Sequence, residues 1–270
     1  MRKKVQALAC AALLSAAGYA SALDIGGLNL PAGPTFQIGS IYQNVITQPG
    51  DVLAGYGEMT QINGASVSSL CAGCELTFTF GGYTVANLSP TTISFSGGWI
   101  NFYLGYGADN DLNPFASANS AADIAAASNG TLFLTLAGHS IDALGNTFSG
   151  QGNNIGSSNA AGNGAGLVDV DTTGSANGNT AGAGAIANAF FNTNGVSALF
   201  GGNADFQLGA SYSNVLLPHP GECPAGPSCL AGSADMRGLV AVPIPEPETY
   251  ALMFAGLGAV AFMSRRRRSQ

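Results

Sequence analysis

Apolar and polar residues alternate without a break from Glu75 to Phe80, so that Leu76, Phe78 and Phe80 share one face of an extended strand and Thr77 and Thr79 the other. The run stops at Gly81-Gly82. Shorter stretches rich in β-branched and aromatic residues follow at 82–86, 91–96, 99–106 and 131–137, each bounded by Gly, Pro, Asn or Ser. Repeated short strands of this kind predict a mainly β fold, an antiparallel β-sandwich or jelly roll. One helical pattern interrupts them, with Asn113 as N-cap, Pro114 at the first helical position and an alanine-rich run to about residue 127.

The pattern fades between residues 149 and 188. SGQGNNIGSSNAAGNGAG and TTGSANGNTAGAGAIA contain almost no large side chains, and only Leu167-Val168-Asp169-Val170-Asp171 between them reads as a strand. Low complexity of this type predicts a long flexible loop or an irregular edge insertion. Strand-like sequence returns at 187–192 and at 204–217. The organisation expected is one β-rich domain over 23–242 carrying a Gly/Asn/Ser/Ala-rich insertion at 149–188.

Composition sharpens this picture. The chain has 39 glycines and only 9% charged residues, where about 25% is usual for a globular protein. Its eight basic residues are Arg2, Lys3, Lys4, Arg237 and the run Arg265, Arg266, Arg267, Arg268. Between residues 23 and 242 a single arginine faces thirteen acids, a formal charge of −12. No basic patch is available there for nucleic acid or for an anionic lipid surface.

The positive charge belongs to the two ends. Arg2, Lys3 and Lys4, an apolar stretch at 5–17 and Ala20-Ser21-Ala22 make a secretory signal peptide over 1–22, to be cut after Ala22 by signal peptidase on export through the Sec translocon. At the other end, Val242-Pro243-Ile244-Pro245-Glu246-Pro247-Glu248-Thr249 precedes an apolar run at 250–263 and then the four arginines. The run reads as a short transmembrane helix, and the arginines as a stop that holds its end in the cytoplasm. The prolines keep the preceding peptide extended and open to a protease.

This tail, residues 243–270, resembles the PEP-CTERM sorting signal of Gram-negative bacteria, whose defining residues fall on Pro245, Glu246 and Pro247. The resemblance implies recognition by exosortase, a membrane cysteine protease, then loss of the tail and delivery to the cell surface or extracellular matrix. It says where the protein goes and nothing of what the domain does.

Chemistry in the domain itself is sparse. Of five cysteines, four remain after signal removal, and in an oxidising compartment Cys71 with Cys74 and Cys223 with Cys229 are the favoured disulfides among three connectivities. Zinc on four thiolates is the competing reading, disfavoured by the long second spacing. The only histidines are His139 and His219, and no serine-nucleophile elbow, zinc-protease helix or phosphate loop is present. Asp109 with Asp111 and Asp169 with Asp171 offer spaced oxygens that suit calcium as a cofactor. The function expected is a non-enzymatic structural or binding component of an exopolysaccharide matrix, in contact with polysaccharide or matrix proteins. An exported glycoside hydrolase or lyase is the alternative, with a cleft lined by Trp99, Tyr103 or Tyr106 and two carboxylates about 5–10 Å apart.

Overall fold

The structure is a computed structural model that describes residues 23–30, 35–173, 185–223, 226 and 228–239. The signal peptide and the sorting tail, including 250–263 and the four arginines, lie outside the described residues. The chain divides into two compact units, 1–240 and 241–270. In order, the elements are β1 (Leu23–Ile25), β2 (Leu28–Leu30), β3 (Thr35–Gln43), β4 (Val52–Ile62), β5 (Ala65–Ser66), α1 (Val67–Leu70), β6 (Cys74–Leu88), β7 (Thr92–Tyr106), α2 (Ser120–Ala127), β8 (Thr131–His139), β9 (Asn146–Asn153), β10 (Ala161–Val170), α3 (Ala185–Phe191), β11 (Phe206–Ser213) and β12 (Leu230–Gly238).

The fold is mainly antiparallel β, as the alternation requires, but it is neither a sandwich nor a jelly roll. Strands β3, β4, β6, β7, β8, β10, β11 and β12 each pair with the next, and β12 pairs back to β3. This is an eight-stranded up-and-down barrel, which leaves no open edge in the ring. Strand β9 sits beside β8 in the same slot: β10 pairs with β8 through 167–170 and with β9 through 161–166.

The misreading has a local cause. Gly81-Gly82 and Gly97-Gly98 read as turns between short strands, yet β6 and β7 run unbroken for 15 residues each. Gly82, Gly97 and Gly98 take φ of 70°, 68° and 97°, a region where a side chain is strained. The two glycine pairs face each other across the ladder, with Gly81 opposite Trp99 and Tyr83 opposite Gly97. Both strands therefore bend at one level, and there β7 exchanges partners, meeting β8 through 99–104 and β9 through 92–96. Such bends are what closing a sheet into a small barrel demands.

Inside the barrel, aromatic rings lie across glycines of the neighbouring strand. A Cβ on Gly55 would come 2.6 Å from the Phe80 ring, one on Gly166 would come 2.6 Å from the Phe148 ring, and one on Gly57 would collide with both Phe78 and the Ser40 carbonyl. The rings then meet each other: Phe78 and Phe102 centroids are 5.6 Å apart, and Phe95 and Phe148 6.1 Å. Within the low-complexity segment, β10 and the second half of β9 are paired strands of the sheet, while residues 174–184 lie outside the described residues. Its glycines are the floor on which Phe148 lies.

Helix α2 starts at Ser120, later than the sequence predicts, because Asn119 is the cap that accepts the Ala122 amide at 2.9 Å. Asn113 and Pro114 form only a turn, in which the Asn113 carbonyl accepts from Ala116 and Ser117. Residues 187–192, expected as strand, belong mostly to α3, whose Phe191 is fully buried against Phe36, Phe206 and Phe133. The β1–β2 hairpin buries Ile25, Leu28 and Leu30 in the same core, and the Tyr106 hydroxyl donates to the Gly26 carbonyl at 2.9 Å. Outward positions such as Thr60, Ser149, Gln151, Gln207, Ser211 and Ser233 are exposed and polar, the reverse of a lipid-facing barrel. Among the described residues no helix is long and apolar enough to cross a membrane.

Replacing Gly57 with Ala is expected to cost at least about 2 kcal/mol, through overpacking against a ring and a backbone carbonyl. Gly221 has nothing within 4 Å of its would-be Cβ, so Gly221→Ala should change stability by no more than about 0.5 kcal/mol. Denaturant midpoints of the two variants check this.

Candidate functional site

Three places concentrate polar or unusual groups. The first lies on the outer face of β4 and β6, beneath α2. Tyr56 is fully buried there and donates to Asp123 Oδ2 at 2.5 Å, while the Ser228 hydroxyl lies 2.7 Å from the Tyr56 oxygen. His219 Nε2 stands 2.9 Å from the same Asp123 oxygen and 3.1 Å from Ser117 Oγ. Cys223 and Cys229, a disulfide pair with Cα atoms 5.1 Å apart, close the loop that contains Ser228, and His219 lies four residues before it. Glu222 adds a second tie by accepting from the Ser120 amide and hydroxyl, and these bonds hold its carboxyl below the usual range.

Ser, His and Asp are thus together, but the wiring is wrong for a triad. A relay needs the carboxylate on one ring nitrogen and the serine on the other. Here both address Nε2, which carries the proton it donates to Asp123 and so cannot take one from Ser117. Burial, with the Asp123 hydrogen bond reinforcing it, raises the Tyr56 hydroxyl pKa far above normal. The cluster is a buried network that pins α2 and the 214–229 loop to the barrel.

The second place is His139, at the end of β8. Its Nδ1 lies 2.7 Å from Asp169 Oδ2 and its Nε2 2.8 Å from the Phe200 carbonyl. Both nitrogens face acceptors, an arrangement that favours the doubly protonated ring. Burial opposes the charge, but Asp169 and the Phe200 and Gly202 backbone outweigh it and raise the pKa.

Glu75, on the outer face of β6, is buried with one oxygen unpartnered and the other accepting from Leu112 N at 3.2 Å. Its pKa is pushed up to about 7, chiefly by burial; the Leu112 amide pulls it back and the Glu58 and Asp111 charges add.

The proposed calcium oxygens are dispersed. Asp109 ends a short 3-10 turn, Asp111 accepts from Asn129, Asp169 holds His139, and Asp171 caps a turn through Thr173. Among the described residues no group of three or more His, Cys, Asp or Glu side chains is placed to hold a metal. Cys71 and Cys74 pair across 5.7 Å of Cα separation, the first of the two local disulfides expected.

The third place is the barrel interior, where an apolar cavity of about 100 Å³ is lined by Phe80, Tyr83, Phe95, Phe148, Leu208 and Met236 among others. Trp99, Tyr103 and Tyr106 are not in its wall. Trp99 instead covers Gly81, where a Cβ would lie 2.8 Å from its ring. Sequence reading found neither the cavity nor the His219–Asp123 contact, which joins residues 96 positions apart. The only signal for the cavity was the excess of small residues at inward positions of paired strands.

Beyond the last strand, ending at Gly238, the chain continues into Pro243 to Arg268, and these residues match the PEP-CTERM protein-sorting motif over 243–268. The chain carries a PEP-CTERM sorting signal. The PEP-CTERM motif supports an exported protein sorted by exosortase, with Pro245, Glu246 and Pro247 at its head and a C-terminal membrane-anchoring segment. It covers the tail alone. Comparison with curated proteins and with solved structures returns no match to the chain.

Two groups set the expected pH response. The raised His139 pKa stabilises the fold below its unfolded value, and that contribution is lost as pH rises through the folded pKa. Glu75 is protonated in the fold up to about 7, so stability also falls between the unfolded carboxyl pKa of about 4.3 and that value. Melting temperature should therefore decline from pH 5 to pH 8. His139→Gln should lower stability at pH 5 and flatten the upper part of the slope. Glu75→Gln should raise stability at pH 8 by about 1–2 kcal/mol.

Proposed function

We propose that the barrel serves as a non-enzymatic surface or matrix component, delivered by exosortase to the outside of a Gram-negative cell and there associating with exopolysaccharide or neighbouring matrix proteins. The PEP-CTERM motif at 243–268 carries this reading. The polar outer wall supports it: hydroxyl and amide side chains such as Gln151 on β9, Gln207 and Ser211 on β11 and Ser233 on β12 are exposed, a surface suited to neutral sugars. His139 supports it as well, since both of its ring nitrogens are held by acceptors, Asp169 and the Phe200 carbonyl.

Protein isolated from the surface of producing cells should, by mass spectrometry, begin after Ala22 and lack Arg265, Arg266, Arg267 and Arg268. Replacing Pro245, Glu246 and Pro247 together with Ala should leave the arginines on the chain and keep the protein in the membrane fraction. Surface protein that retains the arginines would overturn the sorting step. A deletion strain with unchanged matrix, together with no binding of the purified protein to the producer's polysaccharide, would overturn the matrix role.

A further inference from the structure

One buried imidazole faces two acceptors. His139 Nδ1 lies 2.7 Å from Asp169 Oδ2 on β10, and its Nε2 lies 2.8 Å from the Phe200 carbonyl, in the loop between α3 and β11. A neutral imidazole carries a single N–H, so it can donate to one of these oxygens and must turn a lone pair toward the other. Only the imidazolium satisfies both. The groups around the ring leave this choice intact. Asp169 is the charged side chain that acts on it, and Gly202 contributes backbone alone. Asp142, in the loop after β8, spends its oxygens on Leu144 and Asn146.

The loop that meets this ring is firmly held at its base and lightly held at its tip. At the base, Asp205 Oδ1 accepts from the Thr193 and Asn194 amides, both at 2.6 Å, and Val196 and Ala204 exchange backbone hydrogen bonds of 2.8 and 2.9 Å. Residues 197–203 between them form no helix or strand. Among the described residues, His139 is the side chain that hydrogen-bonds this tip to the barrel. Gly201 lies against the ring, where a Cβ would come 3.1 Å from Cε1 and Nε2, and Gly201 and Gly202 take φ of 72° and 92°. Glycine thus permits the close approach and leaves the tip easy to move. The tip presents Leu199, 93% exposed, and Phe200, 38% exposed.

We infer that residues 197–203 are a pH-sensitive latch, shut on β8 while the His139 ring is doubly protonated and released when the ring loses a proton. Asp169 is the stronger of the two acceptors, because it is a carboxylate and its second oxygen, Oδ1, is buried with no partner. The neutral ring therefore keeps its proton on Nδ1, and Nε2 sets a lone pair against the Phe200 carbonyl. Two acceptors at 2.8 Å repel, and only the loop tip is free to move away. The raised His139 pKa fixes the direction: the latch is shut at acidic pH and opens as pH rises past a midpoint above the ordinary histidine value of about 6.5. Opening carries Leu199 and Phe200 with the tip and leaves the Asp205 base in place. The latch is independent of how the protein is sorted and of what it binds, and failure of one reading leaves the other standing.

The test is NMR of the nitrogen-15-labelled mature protein across a pH titration from acid to mildly alkaline. Backbone order parameters at 199–203 should fall from about 0.85 to below about 0.6, with the midpoint at which the His139 ring nitrogens titrate, while those of Thr193 and Asn194 hold. Asp169→Asn exchanges the charged acceptor for a neutral one and should move both midpoints down together, by at least about one pH unit. His139→Gln should give the tip the same order parameters at every pH. A tip that stays ordered while the ring titrates would overturn the latch. So would a tip in His139→Gln that still loses order at the parent's midpoint. The parent's own titration decides the question even should either variant fail to fold.

Discussion

An aromatic ring laid flat over a glycine of the adjacent strand is the contact on which this barrel depends. Eight strands enclose an interior wide enough for side chains from all sides only if large and small residues alternate around the wall. Here the large members are Phe78, Phe80, Phe148 and Phe206, and each covers glycine on a neighbouring strand: Gly57, Gly55, Gly164 with Gly166, and Gly238. Each buried ring contributes on the order of 1.5–3 kcal/mol by leaving water. The glycine makes that burial sterically feasible. The same exchange operates at the bend, where Tyr83 covers Gly98 and Trp99 covers Gly81.

This arrangement accounts for the odd composition. A chain with 39 glycines and few charges looks like a loosely ordered polymer, yet glycines 150, 152, 162, 164 and 166 lie in the paired strands β9 and β10. It also explains why the core is incompletely filled. Rings on one side and glycines or alanines on the other leave residual volume wherever no ring reaches across, and the cavity beside Tyr83 is that remainder. Chemistry on the outside is of a different kind. The Tyr56, Asp123, His219 and Ser228 network and the His139–Asp169 pair fasten elements to the barrel.

What the sequence made legible follows from how local each signal is. Alternation from Glu75 to Phe80 places three residues on the inner face, and the two short cysteine spacings anticipate the two pairs that form. Barrel closure was not legible, because the pairing of β12 with β3 joins residues nearly the whole domain apart and leaves no local trace. Gly81-Gly82 and Gly97-Gly98 misled because a bend within a strand and a turn between strands use the same residue for the same φ. Asn113-Pro114 misled because a cap signal is satisfied equally by an isolated turn. The sorting motif was legible, since it is one contiguous stretch of fewer than thirty residues.

The central claim concerns the coupling between ring and glycine, and a double-mutant cycle on Phe148 and Gly164 measures it. A Cβ on Gly164 would lie 2.7 Å from Phe148 Cζ, so Gly164→Ala in the parent should be clearly destabilising, while in the Phe148→Leu background most of that cost should disappear. A coupling free energy of at least about 1 kcal/mol is expected from urea unfolding of the four proteins. Additive costs, with Gly164→Ala equally damaging when the ring is gone, would contradict the account.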